Sequence, residues 1–393
     1  MENMMSLNLP DFGLKRKSTM FTEEHEAFRD VLSRFIAKEI SPYVSQWDEA
    51  NEFPRELYKK AADVGLLGIM FPEEYGGTGI DYPLSYLSAV ELGRAGSGGI
   101  NAGLMSHTIG TPPIAHLGSD ELKARVIPSV LAGEKISALA ITEPGGGSDV
   151  QNLKTVARRE NGHYVLNGEK TFITSGMRAD YYTVAVRTGE TGMGGISLML
   201  VEKGMEGFTQ TPLHKMGWWA SDTATLHFDN VKVPVENLIG GENAGFMGIM
   251  MNFNNERLFL ASACYGHMLG VFEEALDWAQ QRETFGKPLI HRQVIRHKFV
   301  DMAMKMQAVR AVLEELAQRL QLGESPITEI CMAKNLATST LEYVANECLQ
   351  ILGGAGYMRG TKVERIYRET KVMTIGGGSS EIMKDLASRQ MGI

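Results

Sequence analysis

The chain has 393 residues, 44% hydrophobic and 22% charged, a balance that excludes a disordered protein and predicts two or three packed subdomains. Its net charge of −8, from 39 Lys and Arg against 47 Asp and Glu, argues against a nucleic-acid binder, which needs a concentrated basic surface. No apolar run is long enough to cross a bilayer, and Cys264, Cys331 and Cys348 fit neither a disulfide framework nor a zinc site.

Residues 1–20 read as a flexible N-terminal arm, with Lys15-Arg16-Lys17 as a solvated charge run. The arm lacks a secretory apolar core, and Glu2 and Asp11 make it a poor transit peptide, so the cytoplasm is the expected compartment. A trimmed organellar protein would read the same way.

Helical spacing begins at Thr22, a good N-cap, and carries Phe28, Val31, Leu32, Phe35, Ile36 and Ile40 on one face. Helices broken by Phe71-Pro72 and Tyr75-Gly76-Gly77 continue to about Gly133, giving an N-terminal helical domain over 21–136. Short β-rich runs follow at Ser137 to Ile141, Thr155 to Arg158, Tyr164 to Leu166, Tyr181 to Val186, Ile196 to Val201 and Ala224 to Phe228. Asn161-Gly162 and Asn167-Gly168 are read as turns between them, and the whole as a middle β domain over 137–240. Long helical patterns return from about Ala244 to Gln281, from His291 to Leu322, and from the Ser325-Pro326 start to the Gly353 stop. Those proportions predict a C-terminal four-helix domain over 241–393, and an α+β fold for the chain.

Five segments carry chemical possibilities. Thr142-Glu143-Pro144-Gly145-Gly146-Gly147-Ser148-Asp149 follows the first strand; its glycines expose backbone N–H groups and admit a bulky ligand. Alone, such a segment is more often an ordinary turn than a ligand cradle, and its spacing is that of neither a dinucleotide fingerprint nor a Walker loop. In Lys170-Thr171-Phe172-Ile173-Thr174-Ser175-Gly176, Phe172 could back a flat cofactor and Thr174 could bond its edge, or the segment could be a plain strand. Gln281-Arg282-Glu283-Thr284-Phe285-Gly286-Lys287-Pro288, with Gln293, ends a helix in a cation that suits a phosphate or the helix dipole. Gln350-Ile351-Leu352-Gly353-Gly354-Ala355-Gly356-Tyr357 and Gly376-Gly377-Gly378-Ser379-Ser380-Glu381-Ile382 add two glycine clusters at helix edges, where phosphates bind well.

Taken together and in this order, the segments resemble the acyl-CoA dehydrogenase family from about Phe21 to Gly392. The resemblance implies a helical, β and four-helix arrangement, a homotetramer, and FAD between the middle and C-terminal domains. It implies FAD contacts from Leu139, Ile141, Thr142, Gly147 and Ser148, and from Phe172, Ile173 and Thr174 behind the isoalloxazine ring. Arg282, Phe285 and Gln293 with Gln350, Gly353 and Gly354 would hold the pyrophosphate and adenosine, partly across a subunit interface; Ser379, Ser380 and Glu381 complete the set.

The base is where the chain departs from the common pattern. Many relatives carry the catalytic Glu before a Gly-Thr pair near the C-terminus, and here that place is Gly377. Asn254-Asn255-Glu256-Arg257 instead resembles the segment that holds the base in the long-chain and isovaleryl branches. The resemblance therefore implies that Glu256 removes the α-proton of an acyl-CoA, that the Gly377 N–H and a flavin hydroxyl bind the thioester oxygen, and that flavin N5 takes the β-hydride to leave a trans-2-enoyl-CoA. Ser148, Asn254, Arg257, Gly377 and Gly378 would face the substrate, with the two glycines relieving bulk near long or branched acyl chains. An electron-transfer flavoprotein would accept the electrons. An acyl-CoA oxidase that uses O₂, and a non-catalytic flavoprotein-like scaffold, remain as alternatives. Trp218 and Trp219 are read as core packing rather than pocket lining.

Overall fold

The computed structural model describes residues 18–393, so Lys15-Arg16-Lys17 and most of the expected arm lie outside the described residues. Within that stretch Met20 is not free: it is buried among the C-terminal helices and Tyr86. Helix Glu23–Phe35 starts at Thr22 as the sequence predicts. The Thr22 hydroxyl accepts from the His25 N–H at 3.4 Å and the His25 ring accepts from the Thr22 N–H at 3.1 Å, so two donors orphaned at the helix start are satisfied. Leu32, Phe35, Ile36 and Ile40 enter a core shared between the N-terminal helices and the sheet.

The middle region is one eight-stranded sheet. Its strands are β1 (Ser137–Ala140), β2 (Val156–Glu160), β3 (His163–Thr174), β4 (Tyr181–Arg187), β5 (Ile196–Glu202), β6 (Phe208–Pro212), β7 (Thr223–Pro234) and β8 (Leu238–Ile239). They run in the order β6-β7-β3-β2-β4-β5-β8, with β1 parallel to β4. Asn161 and Gly162 take positive φ and form the hairpin turn between β2 and β3, as expected. Asn167-Gly168 corrects the sequence reading: it is a bulge inside β3, where the register to β7 shifts between Leu166 and Gly168. Gly168 has φ +147°, and a Cβ there would stand 2.6 Å from the Thr155 hydroxyl, so the glycine serves a close approach rather than a reversal. Strand β6 was not anticipated, because only Phe208 of its five residues is buried and the alternation is too weak to read.

Three long helices follow, Gly245–Gln281, Gln293–Gln321 and Ile327–Leu352, then two shorter ones, Lys362–Met373 and Ser380–Met391. The expected Ser325 cap is not made by its side chain; the Ser325 carbonyl instead accepts from the Ile327 N–H at 2.9 Å. Helix Gly245–Gln281 crosses helix Tyr82–Arg94 through small residues. A Cβ at Gly266 would lie 2.1 Å from the Val90 oxygen, and one at Gly93 2.5 Å from the Ala263 oxygen. That close crossing fixes the long helix about three turns beyond Glu256. Trp218 packs against the core of the C-terminal helices, as expected, whereas Trp219 is in none of the cores: it is half-buried, with the Arg359 and Arg368 guanidinium groups over its ring at 4.3 and 3.8 Å. Among the described residues no helix is long and apolar enough to cross a membrane.

Candidate active site

Glu256 lies on the long helix between buried Arg257 and Leu258 on one side and Asn254 and Asn255 on the other. The residue is half-buried. Burial, the dominant influence, pushes its pKa up to about 7 against the opposing pull of Arg257 and Lys334. A carboxylate in that range is suited to act as a base near neutral pH.

Gly377 arrives from the segment between the last two helices. Its φ is +65°, and a Cβ built on it would stand 3.6 Å from Oε1 of Glu256 and 2.6 Å from Cδ1 of Leu260. The structure thus brings together the two places where the sequence located a base and a vacated base. Gly378 has φ +100°, and its Cβ would meet Met383 Cε at 2.5 Å. Both glycines are needed for their left-handed backbone. A side chain at either place would also press on Leu260 or Met383. Among the described residues the N–H groups of Gly377 and Gly378 have no hydrogen-bond partner.

Arg257 turns inward rather than outward. Its Nε donates to the Gly377 carbonyl at 3.4 Å, one terminal nitrogen donates to Asn254 Oδ1 at 3.1 Å, and its guanidinium lies 5.4 Å from the Phe253 ring centre. Lys334 was missed in the sequence. It comes from helix Ile327–Leu352, is fully buried, and donates to the carbonyls of Gly376, at 2.8 Å, and Gly378. The available signal was its place on the core-facing stripe of Ile330, Ala337 and Leu341, where an ammonium is out of pattern. Burial holds its pKa down at about 8.

The glycine turn after β1 is tied down by an inward Glu143. Its carboxylate accepts from the Lys154 and Thr155 N–H groups at 2.6 and 2.9 Å and from Lys170 Nζ at 2.8 Å; Lys170 also donates to the Ile141 carbonyl at 2.9 Å. The Thr171 N–H donates to the Thr142 carbonyl at 2.8 Å, joining the turn to β3. There β3 bulges a second time, between Lys170 and Ile173, and Phe172 takes φ +61°. That is rare for a bulky side chain, and it leaves the Phe172 ring 70% exposed while Ile173 turns into the core. Thr174 is half-buried, Leu139 and Ile141 pack in the core beneath the turn, and Gly147 and Ser148 are exposed. A Cβ at Gly145 or Gly146 would meet nothing within 4 Å. An apolar ring held outward beside an open glycine cradle fits a flat cofactor such as FAD.

The remaining predicted contacts fall into two groups. Ser379 caps helix Ser380–Met391, its Oγ accepting from the Ile382 N–H at 3.3 Å, while Ser380 and Glu381 form the first turn just beyond Gly378. Arg282, Phe285 and Gln293 lie elsewhere, around a tight turn in which Glu283–Thr284 pairs with Lys287–Pro288 and Phe285 is 96% exposed. Gln350, Gly353 and Gly354 are exposed at the end of helix Ile327–Leu352. From Glu256 to Arg282 the long helix extends about 39 Å at 1.5 Å per residue, so within one chain these residues do not meet the base.

Comparison with known proteins agrees with the order of helical, sheet and helical regions. Family models described as the acyl-CoA dehydrogenase N-terminal, middle and C-terminal domains match residues 22–134, 138–231 and 243–392. The long-chain specific acyl-CoA dehydrogenase of Rattus norvegicus mitochondria is 37% identical over 100% of this chain and 91% of its own length. A probable acyl-CoA dehydrogenase from Mycobacterium abscessus is 46% identical with a TM-score of 0.93, covering 95% of this chain and 100% of that one. A glutaryl-CoA dehydrogenase from Mycobacterium smegmatis, solved in complex with FADH2, is 26% identical with a TM-score of 0.88, covering 95% of this chain and 96% of that one. The chain belongs to the acyl-CoA dehydrogenase family of FAD-dependent oxidoreductases.

Proposed function

We propose that this enzyme converts an acyl-CoA thioester to the trans-2-enoyl-CoA, with Glu256 removing the α-proton. The observation that carries the reading is the meeting of Glu256 and Gly377: a carboxyl group of raised pKa beside an unpartnered backbone donor, with no side chain at the alternative base position. Bound FAD supplies the hydride acceptor for the β-carbon.

An α C–H beside a thioester is a weak acid, so its removal needs a placed base and a donor for the charge that grows on the carbonyl oxygen. Glu256 takes the proton on a carboxylate oxygen. The Gly377 N–H faces the developing oxyanion, a contribution of about 3 kcal/mol to the barrier. Being backbone, that donor survives the loss of any side chain at 377. Phe172 would form the apolar wall behind the flavin ring, and the Thr142 to Ser148 turn and Thr174 would hold its edge. Ser148 and Asn254 face the thioester and CoA, while Arg257 acts through Gly377 and Asn254.

The exposed Arg282, Phe285 and Gln293, with Gln350, Gly353 and Gly354, support a homotetramer in which these residues reach the cofactor of a neighbouring subunit. Electrons leave to an electron-transfer flavoprotein. The test is anaerobic addition of short, long, branched and dicarboxylic acyl-CoAs to the yellow holoenzyme. Bleaching by one class is expected, and bleaching by none would sink the proposal. Stoichiometric peroxide in air without another acceptor would make the enzyme an oxidase instead.

A further inference from the structure

We propose that Lys334 is a positioning residue for proton abstraction: by holding the carbonyls of Gly376 and Gly378 it aims the Gly377 N–H at the thioester oxygen. The inference rests on the reading of Glu256 and Gly377 given above and adds the group that sets their geometry.

A fully buried ammonium is expensive, and an apolar residue would fill this helix position at lower cost. Among the described residues Lys334 forms no ion pair; both of its hydrogen bonds go to backbone carbonyls of the glycine segment. The geometry gives those bonds a directional consequence. In a trans peptide the C=O of one residue and the N–H of the next point in opposite directions. Drawing the Gly376 oxygen onto Lys334 therefore turns the Gly377 N–H away from Lys334. The next two peptides are drawn likewise, the Gly377 oxygen by Arg257 and the Gly378 oxygen by Lys334. Glycines in the left-handed region have no side chain to fix such a segment, so its orientation depends on what grips its carbonyls. The same ammonium is close enough to Glu256 to favour the carboxylate form of the base.

The test uses the intact holoenzyme with Lys334→Met and Lys334→Gln, and three readouts: α-hydrogen exchange of acyl-CoA with solvent, the carbonyl stretch of a bound carbonyl-labelled trans-2-enoyl-CoA, and hydrogen–deuterium exchange of the peptide spanning 374–380. Lys334→Met is expected to keep FAD, to slow α-exchange about 10²-fold as loss of an oxyanion donor does, to lose the downshift of the carbonyl stretch, and to exchange faster at 374–380. Lys334→Gln keeps donors without the charge. It should restore the carbonyl downshift while moving the acid limb of the rate upward in pH, a split that a merely structural role would not give. A Lys334→Met enzyme with wild-type carbonyl stretch and exchange rate would overturn the proposal, as would a Lys334→Gln enzyme that fails to recover the downshift; the Gln variant carries the test alone if Met prevents folding. Because the carbonyl stretch needs no proton transfer, it separates failure of Lys334 from failure of Glu256 as base.

Discussion

At the scale of single residues, Glu256 was legible among 47 acidic residues only because a second position, Gly377, carried no side chain. The structure gives the pairing a physical basis, since both places open onto the same few ångströms. Its raised pKa sets the pH dependence. The base must be ionised, so kcat/KM is expected to fall as pH drops through about 7, measured on an acyl-CoA that itself does not titrate there. Moving the base should fail for a steric reason. Glu256→Gly combined with Gly377→Glu places a side chain on a left-handed backbone and against Leu260, so the double variant should show little bleaching and gain several-fold when Leu260→Ala is added. Equal activity with and without Leu260→Ala would contradict this. Lys334 stood out only as a cation on a core-facing stripe, and nothing in that helical pattern tells a buried lysine that grips carbonyls from one that reaches the surface. The inward turn of Arg257 was hidden for the same reason.

Among elements, the long helices and six strands could be read from periodicity, and Thr22 and Asn161-Gly162 from their caps and turns. What failed were features decided by partners. Asn167-Gly168 has the composition of a turn, but β7 runs alongside and Thr155 packs beneath it, so the chain continues as a bulged strand. The position of the glycine turn depends on Lys170, whose complete burial within β3 the sequence pattern did not reveal. Breaking that buried pair has a calculable direction. Lys170→Met leaves the Glu143 carboxylate without its cation and should cost about 3–5 kcal/mol. It should also loosen the turn from β1, lowering the FAD-to-protein absorbance ratio of purified enzyme. Unchanged melting and full FAD content would show that Glu143 is held by the Lys154 and Thr155 N–H groups alone.

For the whole molecule, the helical, sheet and helical order was legible, while the joint between regions was not. Glu369, on helix Lys362–Met373, accepts from the Gly98 N–H at 2.7 Å and from the Trp218 N–H at 3.2 Å, linking all three regions at one buried carboxyl. Nearby Asp48 is held by Arg368 at 2.9 Å and Arg365 at 3.5 Å. Burial first, and Asp48 second, push the Glu369 pKa up to about 7 from 4.5. A carboxyl whose folded pKa is raised contributes stability that is complete below its unfolded value and lost as pH rises through the folded one. Glu369→Gln should therefore flatten the fall in melting temperature between about pH 5 and about pH 8, a relief of up to about 3 kcal/mol at the upper end. A variant that melts in parallel with wild type across that range would remove Glu369 from the joint's pH response.

These scales meet at the α-proton, whose removal is proposed for Glu256. The most direct measurement is exchange of the acyl-CoA α-hydrogen with deuterated water, followed by mass spectrometry under anaerobic conditions. Wild type should exchange it readily, and Glu256→Gln should slow the exchange about 10³-fold with FAD and acyl-CoA still bound. Exchange at the wild-type rate in Glu256→Gln would contradict the account.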